Sequence, residues 1–523
     1  MTTLTTLLAL LPLISASTFQ LSIARSPTAH LAQLERRQLQ NRGLDKRDTV
    51  QVSLTNALTQ GLYFANISVG TPAQQLMVQI DTGSSDVWVP ASGASVCSEP
   101  ASQGGGCDGG SFDPSTSSTF LEVGQDEFNI SYVDGTGSAG DYFQDTFSIG
   151  GATIQQFEMG LATSGTIGTG IMGIGYNNSE ANVDTGNGTI YANLPFALVD
   201  QGLIPTEAYS LWLNDLESST GSVLFGGIDT TKYQGELQSI TVYPSRARRA
   251  VTSFSVAFTS LSATSSSGTD VLTPSDFAVA AILDSGTTIT LLPDDVAAVV
   301  YEELGARYYS KLGATLVPCS LAQKNGSINY GFGGVDGPVI RVSVSELVLP
   351  LTLTNGQTPT FTNGQAACQL GIQPAGDLPV LLGDTFLRSA YVVYDLVNNR
   401  IALGQTNFNV TSSNIVPFAS SGAPIPSASS APNEAAVTQT ATGIPRATAA
   451  GTATGADASA TYNPTATGLN AASGFAATGT STSTSTKKSA AGQGPEPFRW
   501  AAVVVGAVTV GLMGVGGGVF AML

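Results

Sequence analysis

The chain has 523 residues, of which 42% are hydrophobic and 11% are charged, which is enough apolar material for at least one large core. Acidic residues outnumber basic ones 38 to 20, and this balance argues against a nucleic-acid partner held through phosphate contacts. The single histidine, His30, lies in a segment predicted below to be removed, so we expect catalysis by carboxylates, hydroxyls or lysine, with no metal and no cofactor.

The N-terminal part predicts secretion and processing. Residues 1–16 are a Leu-rich apolar run that ends in small residues, which is typical of a signal peptide although no Lys or Arg precedes it. Residues 17–47 carry six basic and two acidic residues, against an acidic remainder. This contrast predicts a propeptide held electrostatically on the folded body, with cleavage after Lys46 and Arg47; a solvated basic tail is the alternative.

The long middle part, from residue 50 to residue 408, predicts an all-β fold. Runs of Val, Ile, Thr, Tyr and Phe are broken about every eight to twelve residues by Gly, Asn, Asp and Pro, which is the pattern of short strands and turns. A helix is predicted over residues 293–308, where Asp294 and Asp295 precede an apolar-rich stretch.

The C-terminal part predicts a stalk and an anchor. Residues 411–489 are rich in Ser, Thr, Ala, Gly and Pro, a composition that buries too little surface to fold, so we expect a disordered, O-glycosylated stalk. Small residues, a polar spacer and an apolar run over 490–523 predict a glycosylphosphatidylinositol (GPI) attachment signal, with Ser489 as the attachment residue. A membrane-spanning helix is the alternative, but no cationic residue follows the run.

Cysteines and sequons fit an exported protein. The four cysteines lack Cys-x-x-Cys spacing, which favours disulfides over metal binding or free thiols. Three pairings are open, and Cys97–Cys107 with Cys319–Cys368 is favoured because each closure stays within one half of the chain. Six N-glycosylation sequons are present, at Asn66, Asn129, Asn177, Asn187, Asn325 and Asn409.

Residues 78–90 and 281–293 repeat one pattern. Each has an apolar strand, an Asp (Asp81 or Asp284), a hydroxyl residue, Gly, two hydroxyl residues, and a Pro nine positions after the Asp. An apolar segment with Gly follows each, at 170–175 and 380–384. The tripeptide at 184–186 also reads Asp-Thr-Gly but lacks this context, so the tripeptide alone is weak evidence. The full pattern predicts one ancestral unit used twice; two unrelated strand-turn junctions are the alternative.

Two such units would bring two carboxyl groups together. An Asp before Gly lies on a tight turn whose N–H and hydroxyl groups hold its carboxylate in one orientation. Two carboxylates at hydrogen-bonding distance cannot both ionise, so Asp81 and Asp284 would share one proton over an acidic range. One member then deprotonates a water while the other donates to a carbonyl, which predicts peptide hydrolysis without histidine.

Residues 60 to about 408 resemble the pepsin-like aspartic proteases, and the whole layout resembles the fungal GPI-anchored yapsin branch. The resemblance implies a mainly β, bilobal fold with pseudo-twofold symmetric lobes, at 48–225 and 226–410, and a central cleft. It implies a monomeric, secreted aspartic endopeptidase that acts on proteins or peptides at acidic pH. It also implies attachment through a GPI lipid to the extracellular side of the cell membrane, or retention in the cell wall.

The resemblance also assigns roles to individual residues. Thr82 and Ser285 would brace the two catalytic loops, Ser84 and Thr287 would bond the outer carboxylate oxygens, and Gly83 and Gly286 complete the turns. The flap would comprise Tyr132, Val133, Asp134 and Gly135, with the Trp88 indole as the hydrogen-bond partner of Tyr132. Val133 departs from the small residue usual after the flap tyrosine.

The sequence leaves open the residue preferred before the cut and two alternative functions. Yapsins prefer Lys or Arg before the cut, for which Asp134 and Glu99 are candidate carboxylates. A non-catalytic surface protein that binds peptide or glycan is one alternative, against which the two intact Asp residues argue. A two-carboxylate glycoside hydrolase is the other, but it would not require the duplicated turns.

Overall fold

The computed structural model describes ten stretches of the chain, namely residues 18–26, 55–57, 62–98, 106–184, 188–218, 220–245, 249–309, 314–351, 358–437 and 471–475. Several predicted features lie outside the described residues: the signal peptide, Lys46 and Arg47, Glu99, Asn187, Ser489 and the attachment signal. They stay predictions.

Strands dominate the described residues, and the all-β prediction is confirmed. In the first half they are β1 Phe19–Ser26, β2 Thr55–Ala57, β3 Leu62–Val69, β4 Gln74–Asp81, β5 Val87–Pro90, β6 Leu121–Ser131, β7 Gly137–Ile149, β8 Ala152–Gly165, β9 Ile171–Gly173, β10 Ala208–Trp212 and β11 Thr220–Phe225. Along most of β7, buried residues alternate with half-buried ones, as expected of a strand with one face in the core.

The second half continues the β architecture. Its strands are β12 Gly227–Asp229, β13 Tyr233–Thr241, β14 Ser255–Ser265, β15 Gly268–Val271, β16 Val279–Leu283, β17 Thr290–Leu292, β18 Arg307–Tyr309, β19 Ala314–Pro318, β20 Gly326–Phe332, β21 Val339–Ser343, β22 Val348–Leu349, β23 Ala367–Leu370, β24 Ile372–Pro374, β25 Val380–Leu382, β26 Ala390–Asp395, β27 Arg400–Thr406, β28 Ile415–Pro417 and β29 Ala428–Ser430.

The helices are short and lie between the strands. The α-helices in the described residues are α1 Ser95–Ser98, α2 Ala181–Asp184, α3 Leu194–Asp200, α4 Asp294–Leu304, α5 Val344–Leu347, α6 Asp384–Leu387 and α7 Ala472–Phe475. The predicted helix at 293–308 is α4, and it ends four residues early because Gly305 adopts the left-handed conformation that terminates helices. Within the described ranges, none of the helices is long and apolar enough to cross a membrane.

The strands form four sheets. The largest has the order β29-β13-β27-β26-β10-β11-β1-β2-β3-β4-β9-β5-β8-β7-β6 and therefore includes strands from both halves of the chain. The second half adds a sheet of order β21-β20-β14-β16-β25-β17-β24, with β15 paired to β14, and a smaller sheet of order β18-β19-β23-β22. The fourth sheet is the β12-β28 pair. One hydrophobic core cluster takes Ile80 and Val89 from the first half and Leu283 and Leu382 from the second, so both halves pack as one body.

The predicted propeptide contributes β1 to the largest sheet. Residues 19–24 pair antiparallel with β11, and β1 also contacts β2 and β3. Backbone hydrogen bonds in a sheet therefore hold this strand, in addition to any attraction between the basic segment and the acidic body.

Both predicted disulfides are present. Cys97 bonds Cys107 across 10 residues, and Cys319 bonds Cys368 across 49 residues. Closing loops of these lengths restricts the unfolded chain and is worth about 3 and about 4 kcal/mol of stability, respectively. The longer closure ties β23 to the residues just after β19, its neighbour in the smaller sheet.

The predicted start of the stalk, at residue 411, is wrong. β28 pairs antiparallel with β12, and β29 joins the exposed edge of the largest sheet by pairing parallel to β13. Phe418 is fully buried in a cluster with Trp212 and Tyr391. The segment 411–437 is therefore part of the folded body.

A segment of this composition folds here because it does not have to build a core of its own. Three apolar residues, Phe418, Ile425 and Ala431, are enough here, since the rest of the folded body already supplies the surface that they cover. An ion pair between Glu434 and Arg400, at 3.1 Å, adds a contact near the end of the segment.

Residues 471–475, inside the predicted stalk, also contact the body. Phe475 is 4% exposed and packs on Gly326, where any side chain would collide with its ring. The Ala471 N–H donates to the Asp270 carboxylate at 2.8 Å. A disordered stalk over 411–489 is therefore wrong for these residues as well.

Candidate active site

The two duplicated segments occupy equivalent places in the fold. β4 pairs parallel with β9, and Asp81 lies opposite Gly173; β16, which leads into Asp284, pairs parallel with β25. The apolar segments at 170–175 and 380–384 are thus the direct neighbours of the two Asp-bearing strands. The duplicated sequence gives a duplicated local structure.

Glycine is required where these chains pass each other. A Cβ atom on Gly173 would lie 2.7 Å from the backbone of Asp86, and a Cβ atom on Gly383 would lie 2.3 Å from the Thr287 carbonyl oxygen. Both distances are below normal contact, so a larger residue would push each Asp-bearing turn away from its supporting strand.

The two turns hold their carboxylates in the same way. Asp81 accepts hydrogen bonds from the Gly83 N–H at 2.7 Å and the Ser84 hydroxyl at 2.5 Å. The corresponding donors to Asp284 are the Gly286 N–H at 2.8 Å and the Thr287 hydroxyl at 2.6 Å. In each case one oxygen faces the backbone donor and the other faces the hydroxyl, which fixes the orientation of both carboxyl groups.

Thr82 and Ser285 cross-link the turns. The Thr82 N–H donates to Ser285 Oγ at 3.1 Å, and the Ser285 N–H donates to Thr82 Oγ1 at 2.9 Å. Each hydroxyl also donates to the opposite strand, Thr82 to the Leu283 carbonyl and Ser285 to the Ile80 carbonyl. Both side chains are buried, so these bonds are shielded from water.

The two carboxyl groups meet across the pseudo-twofold axis. Asp81 is 5% exposed and Asp284 is 8% exposed. Burial, and next the neighbouring Asp284 carboxylate, raise the pKa of Asp81 above its ordinary value. A Cβ atom on Gly286 would collide with the Asp81 carboxylate, and one on Gly83 would collide with that of Asp284, so only glycine permits this approach.

The flap lies between β6 and β7. Its turn contains Tyr132, whose hydroxyl accepts a hydrogen bond from the Trp88 indole at 2.8 Å. Asp134 accepts from both the N–H and the hydroxyl of Thr136, which closes the turn, and Gly135 has a positive φ of 82° that suits its position there. Val133 is 50% exposed at the tip.

A family model described as "Eukaryotic aspartyl protease" matches residues 62–406. The chain belongs to the eukaryotic aspartyl protease family. It is therefore an aspartic-type endopeptidase, a hydrolase that acts on proteins or peptides, and its fold is pepsin-like.

Relatives of this protease cover most of its length. It is 46% identical over 391 residues to "Probable aspartic-type endopeptidase opsB" of Aspergillus oryzae, covering 74% of this chain and 77% of that one. It is 37% identical to the "Acid protease" of Saccharomycopsis fibuligera, over 69% of this chain and 84% of the relative. The crystal structure of an aspartic proteinase from Irpex lacteus matches with a TM-score of 0.53 and 24% identity, over 69% of this chain and 98% of that one, and supports the fold.

The predicted glycosylation sites are mostly at the surface of the protease. Asn66, Asn129, Asn325 and Asn409 are exposed, and Asn177 is half-buried. The side-chain amide of Asn409 hydrogen-bonds the Asp215 carboxylate, so it is held against the body.

Sequence reasoning missed a buried acidic network beside the flap. Asp86 is fully buried and accepts hydrogen bonds from the hydroxyls of Tyr142 and Tyr191 and from the Ala181 N–H. Glu180 is also fully buried, and one of its oxygens accepts from the Tyr191 N–H. In the sequence, the feature that could have indicated this network is Asp86, a charged residue directly before the apolar strand β5.

The Glu180 carboxyl group is held neutral. Burial raises its pKa from 4.5 to about 9, and the Asp86 and Glu158 carboxylates add to the shift. Its second oxygen, Oε1, is buried without a hydrogen-bond partner in the described part of the chain. An ionised Glu180 would therefore lie next to Asp86 with little compensation.

We expect Glu180→Gln to make stability less dependent on pH. The unfolded chain loses this proton near pH 4.5 and the folded protein near pH 9, so the stabilisation is full below pH 4.5 and declines as pH rises toward 9. One proton corresponds to a slope of about 1.4 kcal/mol per pH unit. Urea unfolding across this range, with parent and variant both carrying Asp81→Asn, measures the slope.

The matched control for this substitution is Glu122→Gln, which neutralises an exposed carboxylate on β6. It should leave the pH dependence of stability unchanged. Equal slopes for the Glu180→Gln variant and its parent would show that Glu180 ionises freely in the folded protein.

Proposed function

We propose that Asp81 and Asp284 are the catalytic pair of this endopeptidase and share one proton. The observation that supports this most directly is the contact of two buried carboxyl groups, each held by one backbone N–H and one hydroxyl. A purely structural pair of acids would gain nothing from such proximity, because bringing like charges together in a buried site costs stability unless a proton is kept.

The proposed reaction uses a water molecule bound between the carboxyl groups. The ionised member takes a proton from this water, whose oxygen attacks the scissile carbonyl carbon, while the protonated member donates its proton to the carbonyl oxygen. A tetrahedral diol results. Its collapse breaks the C–N bond: the carboxyl group that took the water proton passes it to the leaving nitrogen, and the other carboxylate takes a proton from a diol hydroxyl. The pair thus returns to its singly protonated state without a covalent intermediate.

Thr82 and Ser285 support this chemistry through position. Because each hydroxyl bonds the loop and strand of the other half, a shift of one carboxyl group relative to the other would break buried hydrogen bonds. The flap, with Tyr132 held by Trp88, lies where it can cover a bound peptide and exclude water.

The shared proton sets the pH range. Above the upper pKa of the pair both carboxyl groups ionise and the proton donor is lost; below the lower pKa both are protonated and the base is lost. We propose that hydrolysis takes place at acidic pH and falls as pH rises through the upper value.

Asp81→Asn is expected to reduce kcat by at least about 10³-fold, because the amide cannot share a proton with Asp284. The measurement is hydrolysis of a fluorogenic peptide at acidic pH by protein from which the propeptide has been removed. The control is Asp184→Asn, which alters the other Asp-Thr-Gly tripeptide and should leave kcat unchanged. Full activity in the Asp81→Asn protein would exclude the proposed pair.

We propose that the protease is made as a secreted, glycosylated zymogen. The leader at 1–16 and the sequons support export, and the dibasic pair Lys46 and Arg47 supports removal of residues 17–47. Processing there would separate β1 from the rest of the chain, so the largest sheet would lose an internal strand when the enzyme matures.

We propose that the enzyme is a monomer of the yapsin-like branch, anchored by a GPI lipid on the extracellular side of the cell membrane or retained in the wall. A monomer suffices because one chain supplies both carboxyl groups. The anchor rests on the sequence pattern around Ser489.

Phosphatidylinositol-specific phospholipase C is expected to release the protein from isolated membranes, and replacing residues 489–491 by bulky residues should abolish surface attachment. A membrane fraction resistant to the lipase would favour a spanning helix.

We propose a preference for Lys or Arg before the cut. Asp134 supports this, since its carboxylate lies at the flap turn, although Thr136 occupies one of its oxygens. Cleavage profiling on a peptide library is expected to show basic residues at this position, and Asp134→Asn should weaken that preference by about two- to fivefold, the value of one charge pair near the surface. An apolar profile for the unmodified enzyme would rule out the preference.

A further inference from the structure

Gln79 is a polar residue beside the proposed catalytic pair. In β4, Leu76, Val78 and Ile80 are buried in the core, whereas Gln79 is half-buried on the opposite face. Residues two apart in a strand share a face, so Gln79 and Asp81 lie on the same side, with their Cβ atoms about 7 Å apart. The Gln79 side chain is therefore within reach of the reaction site.

The amide of Gln79 crosses to the other half of the molecule. Its Nε2 donates to the Gly286 carbonyl oxygen at 3.2 Å, and the N–H of the same Gly286 donates to Asp284. A carbonyl oxygen only accepts, so the amide is fixed with nitrogen toward Gly286 and with Oε1 away from it. Within the described part of the chain, this is the only side-chain hydrogen bond of Gln79.

The duplicated half shows that the fold does not need an amide at this position. The residue two before Asp284 is Ile282, which packs beside Leu291 and Leu381. The same strand, turn and carboxylate geometry therefore forms with an apolar side chain. Gln79 is an asymmetric feature of an otherwise repeated unit.

We propose that Gln79 is a specificity-determining residue, whose Oε1 accepts a hydrogen bond from a polar, donor-bearing side chain flanking the scissile bond. This inference rests on the proposed function of Asp81 and Asp284. The side chains that fit are those of Gln, Asn, Lys and Arg, since each offers an N–H donor on a flexible stem. A substrate with an apolar residue there would leave Oε1 without a partner once water is displaced.

The test compares matched peptides that differ in one residue flanking the scissile bond, varied on each side in turn among Gln, Lys and Met. Unmodified enzyme should cleave the Gln and Lys peptides with kcat/KM about three- to tenfold above that for the Met peptide, at one of the two positions. Gln79→Met, which keeps the length but removes the acceptor, should abolish this difference. The matched control, Ile282→Met, should preserve it.

A second variant separates recognition from the bond to Gly286. Gln79→Glu retains an acceptor oxygen but cannot donate to Gly286 when ionised, and it should increase the ratio of kcat/KM for the Lys peptide over the Met peptide. Two results would overturn the proposal: an unchanged Gln-to-Met ratio of kcat/KM in Gln79→Met, or a uniform loss of kcat on all three peptides. If Gln79→Met does not fold, an unchanged or reduced Lys-to-Met ratio of kcat/KM in Gln79→Glu would overturn it.

The catalytic pair and the role of Gln79 are tested separately. Each kcat/KM ratio counts only the hydrolysis that is lost in the Asp81→Asn protein. Absence of such hydrolysis contradicts the proposed catalytic pair, whereas dyad-dependent hydrolysis without the predicted ratios contradicts the role of Gln79 alone.

Discussion

Two carboxyl groups held in contact inside a protein repel each other unless one proton stays between them. Much of the central architecture serves this constraint. The N–H and hydroxyl donors around Asp81 and Asp284 fix the oxygens, Gly83 and Gly286 permit the approach, and the buried bonds between Thr82 and Ser285 prevent the halves from moving apart. Burial of the site, and next the neighbouring Asp284 carboxylate, raise the pKa of Asp81.

Duplication explains how such a site is built with so few special residues. Each half supplies the same strand, turn and crossing glycine, and the symmetry axis brings the two copies together. Departures from symmetry then become informative. Gln79 opposite Ile282 is one such departure, and the flap, which is formed only by β6 and β7 of the first half, is another.

The ends of the described chain show that composition is an incomplete guide to what folds. β1 lies in the predicted propeptide, yet it occupies an internal position in the largest sheet. Residues 411–437 have the composition of a linker, yet they cover the β13 edge and bury Phe418. Covering an edge strand also removes a row of unpaired backbone groups that could pair with another chain. In both cases the partner surface comes from residues far away in sequence.

The sequence by itself determined the fold class, the family resemblance and the residues of the two Asp-bearing turns, and it favoured the disulfide pairs that the structure contains. These follow from local patterns: strand periodicity, turn residues and a thirteen-residue unit that occurs twice. Only the tertiary structure decided that Gln79 reaches Gly286, that Asp86 and Glu180 form a buried network with Tyr142 and Tyr191, and that the folded body continues past residue 410. Such contacts join residues separated by tens to hundreds of positions, and their energy depends on burial and distance, which no local pattern encodes.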